Sequence, residues 1–242
     1  MTQDHEVRVE NWDDELAAEE PGFRTRAGLG VLHLFVNAGS HYEPEDAIRE
    51  VKGALERGVQ VMTVALLGHR AQVAVMALHE DVAELRRLQA GLGQAGLSFA
   101  DSFLSITEVS EYSQHLPEER RRPRLYPELP PEGFPNWCFY PMTKRRGEQY
   151  NWYALPYTER ERLMYGHGAS GRKFSGRVIQ LVTGATGLSE WEWGVTLFAR
   201  RPDDIKDVVY TMRYDEASAL YGEFGRFWFG MLGDPEEVLV RP

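Results

Sequence analysis

One order of elements occurs twice in this 242-residue chain, and the duplication restricts the fold more than any single motif does. In the first copy Gly28 to Val36 is a β-rich run, and Glu43-Pro44-Glu45-Asp46 opens a helix with acidic residues and proline in its first turn. Ile48, Val51 and Leu55 recur at helical spacing before Gly58. Val59 to Leu67 predicts a strand, Gly68-His69-Arg70 a turn, and Gln72 to Leu78 a strand pairing back as a hairpin. Val82, Leu85, Leu88 and Leu92 line a second helix that Gly91, Gly93 and Gly96 close, and Ser98 to Ser110 predicts the fourth strand. This β-α-β-β-α-β order is the ferredoxin-like split unit. It returns in residues 136–242. There Trp137 to Met142 predicts a strand, and Thr158 to Gly166 a helix with a Thr158-x-x-Glu161 capping box. Phe174 to Thr183 and Glu190 to Ala199 predict two strands, Pro202 to Met212 a helix, and Gly222 to Phe229 the last strand. The expected class is α+β: ferredoxin-like domains at 27–116 and 136–242, a Pro-rich connector at 117–135, and an acidic arm at 1–26 without a clean period. Each domain predicts a four-stranded antiparallel sheet with helices on one face, leaving the other faces free to join.

Charge and composition narrow the function classes. A net charge of -10 and an Asp/Glu-rich start exclude a nucleic-acid partner, because no basic stripe exists to release counterions; Arg120-Arg121-Arg122 is too short. The single cysteine, Cys138, excludes an internal disulfide framework and a cysteine-only metal site, which makes a reducing cytoplasm the default location. The longest apolar run, Val59 to Leu67, is half the span a bilayer needs, and the polar N-terminus has no basic start followed by an apolar block. A soluble, unexported protein with no membrane partner is expected.

The candidate chemistry lies between residues 136 and 198. In an extended Phe139–Lys144 segment, alternation puts Tyr140, Met142 and Lys144 on one face, a phenol and an ammonium either side of a thioether. Taken alone, Tyr140 reads more readily as a barrel-lining aromatic than as a catalyst, and Lys144 as a solvated strand end. His167 directly follows the predicted helix, although a lone histidine is more often structural, since metal sites usually need several ligands. Gln180 lies in Val178-Ile179-Gln180-Leu181-Val182, whose two apolar faces predict a buried amide in need of partners. Gly166-x-Gly168-x-x-Gly171 matches the dinucleotide fingerprint as text but follows a helix where a strand is required, so these glycines are expected to end the helix and admit a ligand. Trp191 and Trp193 alternate with Val195 and Leu197 and read as packing.

Much longer stretches carry a resemblance. Cys138-Phe139-Tyr140-Pro141-Met142-x-Lys144, Asn151-Trp152-Tyr153, His167-Gly168, Gly171-Arg172-Lys173, Gln180, Glu192 to Phe198 and Met212 to Glu216 together cover most of the C-terminal half. This text resembles the coproheme decarboxylases, the haem-forming branch of the chlorite dismutase-like family. The resemblance implies a dimeric α+β barrel within one chain, assembled as a homopentamer. It implies hydrogen-peroxide-dependent oxidative decarboxylation of two propionates of iron coproporphyrin III (coproheme), leaving haem b. A porphyrin supplies four nitrogens itself, so a single imidazole suffices as axial ligand. The resemblance makes His167 that ligand, and its place after the helix suggests that its other ring nitrogen donates to a carbonyl or carboxylate, with Glu216 as the candidate acceptor. It makes Tyr140 the catalytic tyrosine that becomes a radical at the propionates, and Lys144 a catalytic proton donor and propionate partner. Tyr140, Pro141, Met142, Thr143, Lys144, His167, Gln180, Arg172, Arg213 and Ser218 form the implied porphyrin site. Read alone, Arg213 complements the end of its helix. Gln180 stands where chlorite dismutases carry an arginine, and a neutral amide cannot hold an oxyanion as a guanidinium does, so negligible oxygen evolution from chlorite is expected. Where some relatives place an arginine and others a histidine, spacing lands on Tyr126 with Arg124 two residues before, which leaves the helper of the second step open. The alternatives on the same fold are a chlorite dismutase and a haem-binding carrier or peroxidase.

Overall fold

The computed structural model describes residues 22–240 and residue 242, so residues 1–21 of the acidic arm lie outside the described residues. The first unit runs β1 (Gly30–Ala38), α1 (Pro44–Glu56), β2 (Gln60–Leu66), β3 (Val73–His79), α2 (Val82–Gln94) and β4 (Leu97–Thr107). Pro44 starts α1 as expected, and the Asp81 carboxylate caps α2 by accepting from the Ala83 N–H at 2.9 Å. A short helix, α3 (Glu118–Leu125), occupies part of the expected connector. Acidic residues in its first turn and arginines in its last complement its dipole, which offsets part of the cost of Pro123 inside it.

The second unit runs β5 (Asn136–Lys144), α4 (Tyr157–Arg172), β6 (Val178–Gly184), β7 (Trp193–Ala199), α5 (Pro202–Met212), α6 (Glu216–Tyr221), β8 (Gly222–Phe224), β9 (Trp228–Gly233) and α7 (Pro235–Val238). The expected single last strand is two, β8 and β9, both paired with β5. The chain between them passes tightly against β5. The Gly225 N–H donates to the Pro141 carbonyl at 2.8 Å, and a Cβ on Gly225 would lie 2.6 Å from the Pro141 ring.

The strands form one nine-stranded sheet in the order β7-β6-β4-β1-β3-β2-β9-β5-β8, with a further pairing of β7 to β5, where two four-stranded sheets were expected. Within it the order β4-β1-β3-β2 of the first unit is repeated by β9-β5-β7-β6 of the second. The units meet along Thr63–Leu66 of β2 against Gly230–Gly233 of β9, and along Ile106 and Thr107 of β4 against Thr183 and Gly184 of β6. Alternation along each strand then sorts side chains into layers. Phe35, Met76, Trp137, Phe139, Phe198 and Trp228 fill an inner core shared by both units. Leu34, Val51, Val75, Leu85, Leu88 and Leu92 fill an outer core under α1 and α2. Cys138, Val195, Leu197, Ile205 and Val208 fill the corresponding layer of the second unit. Each fully buried leucine of these layers contributes about 1.5–3 kcal/mol. Among the described residues no helix is long and apolar enough to cross a membrane.

Candidate functional site

Helix α4 runs on through the glycines that were expected to end it, so His167, Gly168 and Gly171 lie within the helix and not after it. Its N-cap is Pro156, without a side-chain cap bond, and not the expected box at Thr158. Interior glycines each cost a helix about 1 kcal/mol relative to alanine. Packing offsets this: Leu163 is buried with Trp152, Ala217 and Tyr221, and Arg162 bonds both Glu159 and Glu216. His167 lies one turn beyond Leu163 on the same helix face.

The acceptor for His167 is Asp215, where the sequence suggested Glu216; Glu216 is occupied by Arg162. Nδ1 of His167 lies 3.1 Å from both Asp215 carboxylate oxygens and 3.4 Å from Ser218 Oγ. Asp215 is itself the N-cap of α6, its carboxylate accepting the Ser218 N–H at 3.1 Å, so the helix end fixes it. Burial alone would raise the Asp215 carboxyl, but hydrogen bonds from His167 and Ser218, with the attraction of His167, hold it below the ordinary carboxylate range. An anionic acceptor at Nδ1 requires the N–H there and leaves the Nε2 lone pair available to a metal.

His167 borders a cavity of about 180 Å³ between the helices and the sheet. Gly168, Gly171, Val208 and Met212 line it from the helices and Val178 and Gln180 from β6. Gln180 is exposed, contrary to the buried position expected for it, because α4 and α5 do not close over β6 at this point. A Cβ built on Gly171 would meet no atom within 4 Å, so the helix presents open space here.

Strand β5 carries the remaining candidates. Trp137 and Phe139 point to the inner core, whereas Cys138, Tyr140 and Met142 pack in the layer that also contains Phe174, Val178, Val208 and Met212 of the cavity wall. Tyr140 stacks on Phe227, ring centroids 4.3 Å apart, with Phe224 edge-on at 5.9 Å. Burial, followed by the neighbouring Cys138 thiol, pushes its phenol up, so it is neutral at physiological pH. The Pro141 carbonyl accepts from Gly225, as above, and Met142 pairs with Trp193 and Phe224 across the two strand edges. Lys144 is buried, 7% exposed, its ammonium 4.3 Å from the Trp152 ring and donating to the Ala217 carbonyl at 3.2 Å. Burial lowers it to about 8 against the opposing attraction of Asp215 and Glu192. Asp215 thus bonds the imidazole and also attracts the ammonium.

Other candidates lie further out. Arg172 and Arg213 are exposed at the ends of α4 and α5, Arg172 with its guanidinium 5.8 Å from the Tyr165 ring. Arg124 and Tyr126 are exposed at the end of α3. Ser218 is buried beside His167. Sequence reasoning missed Asp215 and Glu192. The Asp215-x-x-Ser218 spacing is a readable N-cap signal, whereas nothing local marks Glu192.

A family description, "Chlorite dismutase", matches residues 43–233, and the chain belongs to this chlorite dismutase family. Within it the chain is 44% identical over 186 residues to a protein of Staphylococcus carnosus named coproheme decarboxylase, covering 72% of this chain and 73% of the relative. It is 40% identical over 208 residues to a coproheme decarboxylase of Thermus thermophilus, covering 80% and 83%. Among solved structures, a heme-binding protein from Thermus thermophilus superposes with a TM-score of 0.76 at 37% identity, over 90% of this chain and 95% of that one. A mutant chlorite dismutase from Candidatus Nitrospira defluvii superposes with a TM-score of 0.72 at 16% identity, over 89% and 96%, and shows likeness of fold alone.

Proposed function

We propose that the chain is a peroxide-dependent coproheme decarboxylase that converts iron coproporphyrin III to haem b. The observation that carries the reading is His167, held at Nδ1 by Asp215 and facing a cavity shared with Gln180, in a chain 40–44% identical to relatives of that name. The residues fit the group. One imidazole with a free Nε2 suffices for a porphyrin iron, most of the walls are apolar, and Gly171 leaves room for a flat ligand.

The chemistry balances simply. Each propionate loses its carboxylate as carbon dioxide and one hydrogen as a proton, giving up two electrons and leaving a vinyl group. Hydrogen peroxide takes two electrons and two protons to become two waters. When bound, the substrate's own iron supplies the redox centre for peroxide. His167 holds that iron, and Asp215 fixes the ring. Tyr140 passes the oxidising equivalent to the propionate as a tyrosyl radical, because the carbon to be oxidised lies at the porphyrin edge. Lys144 pairs with the propionate carboxylate and supplies the proton that each turnover consumes beyond the one it releases. Pro141, Met142 and Thr143 form the strand beside the porphyrin edge, Gln180 its other wall, and Ser218, Arg172 and Arg213 its further polar partners. The same proposal takes the sheet as a closed α+β barrel, supported by the β5–β7 pairing, with domains at 27–116 and 136–242. It includes a homopentamer and a cytoplasmic location, which rest on the family likeness and on the lone Cys138.

The test is to mix the purified protein with ferric coproheme, titrate peroxide and resolve the porphyrins by mass. Loss of two carboxyl groups per molecule is expected. Unchanged coproheme removes the reading, and sustained oxygen evolution from chlorite replaces it with the chlorite dismutase alternative.

A further inference from the structure

Glu192 lies just before β7 and is 6% exposed, yet it is not a member of the porphyrin site described above. Its carboxylate joins three segments. The backbone N–H of Lys144 donates to it at 3.0 Å and the Arg146 guanidinium of the following turn donates as well, and that guanidinium lies 4.7 Å from the ring of Tyr153 in the 3-10 turn Trp152–Ala154. Burial pushes the carboxyl upward, but these bonds and the Arg146 charge prevail and hold it low, so it is anionic at neutral pH. The Trp152 ring of that same 3-10 turn lies against the Lys144 ammonium. Glu192, together with the Arg146 it holds, thus ties the backbone that carries Lys144 to the turn that supplies its aromatic neighbour.

We propose that Glu192 is a positioning residue that holds the Lys144 ammonium in place as the cation facing a substrate carboxylate. This rests on the functional reading above. Among the described residues two charged groups attract the Lys144 ammonium: Asp215 at the start of α6, itself bonded to His167, and Glu192, itself bonded to Arg146. The remaining neighbours, the Trp152 ring and the Ala217 carbonyl, carry no charge. Glu192 therefore supplies one of the two negative charges that oppose the burial of this ammonium, and the weaker that opposition, the lower the pH at which Lys144 gives up its proton.

The chain has four lysines, Lys52, Lys144, Lys173 and Lys206, so labelling the lysine ε-carbon with carbon-13 gives a short spectrum in which Lys144→Arg identifies the Lys144 signal. In the wild-type apoprotein that signal should titrate below the ordinary lysine range, at about 8. Glu192→Gln keeps the shape and removes the charge, and should lower the midpoint by about half a pH unit or more. The Lys144-dependent limb of the coproheme-decarboxylation pH profile should move in the same direction. Glu192→Asp, the milder change, draws the charge back by one methylene and should give a smaller shift of the same sign, which also serves if the Gln variant does not fold. A Lys144 midpoint unmoved in the folded variants overturns the proposal. Wild-type protein that leaves coproheme unchanged under peroxide sinks the functional reading, while the apoprotein titration still decides the role of Glu192.

Discussion

The two ferredoxin-like units share a strand order and differ in what fills the space between helices and sheet. In the first, Leu85, Leu88 and Leu92 of α2 and Val51 of α1 are at most 1% exposed, and they close against Leu34 and Val75. In the second, α5 brings Ile205 and Val208, each 7% exposed, while α4 brings one buried side chain, Leu163, and three glycines. The result is a sealed layer on one side of the molecule and a cavity on the other. Side-chain volume per helical turn, and not backbone topology, makes that difference. A duplicated unit can keep one copy for stability and empty the other for a ligand.

The sharpest way to break this comparison is at His167. His167→Ala should leave a folded apoprotein, because the imidazole is partly exposed and anchors no core. Its coproheme complex should lack the optical spectrum of a histidine-bound iron and should not turn over. An unaltered spectrum would mean that the open layer is not where the iron binds.

Next in size is Tyr140→Phe, which keeps the ring on Phe227 and removes the oxidisable hydroxyl. Coproheme should still bind, weaker by about 0.5–1.5 kcal/mol at most for one lost hydrogen bond. Peroxide should then bleach the porphyrin without releasing carbon dioxide. Decarboxylation near the wild-type rate would reduce Tyr140 to a wall of the second layer.

Denaturation compares the two layers directly. Leu88→Ala, in the sealed layer, should cost about 2–5 kcal/mol because its neighbours cannot collapse into the space left. Val208→Ala borders space already present and should cost no more than about 1–2 kcal/mol for the methyl groups removed. Urea midpoints of the two variants measure the contrast, and equal losses would mean that both layers are packed alike.

How far the sequence reveals this asymmetry follows from the range of each interaction. Both copies of the unit were readable because strand alternation and helical periodicity are local, and Ile205, Val208, Val209 and Met212 announce α5 unaided. The length of α4 was not, because Gly166, Gly168 and Gly171 read locally as helix ends, and only packing against Trp152 and Ala217 carries the helix through them. The exposure of Gln180 depends on helices distant in sequence failing to cover it, so an apolar strand text predicted burial instead. Glu216 and Asp215 are adjacent, and the choice between them is made by Arg162 taking the first. The residue letters thus brought Tyr140, Lys144 and His167 forward as candidates, while tertiary contacts chose their partners.

The smallest effect concerns the inner core where the two units meet. His33 of β1 is fully buried there, its Nε2 3.1 Å from Thr196 Oγ1 of β7 and its ring stacked on Phe139 at 4.1 Å. Burial lowers its pKa from 6.5 to about 3, so the folded protein keeps it neutral. The unfolded chain takes up that proton first as the pH falls, so the contribution of His33 is fully present above 6.5 and is lost progressively from 6.5 down to about 3. At pH 5.5 the loss is about 1–2 kcal/mol relative to pH 7.5. His33→Phe removes the titrating group, leaves Thr196 short of a partner, and should be no more stable than wild type at pH 7.5. Its stability should nevertheless fall less between pH 7.5 and 5.5. Urea denaturation of both proteins at the two pH values measures the difference, and equal declines would place the acid sensitivity in the open layer or at the surface, not in the core that joins the two units.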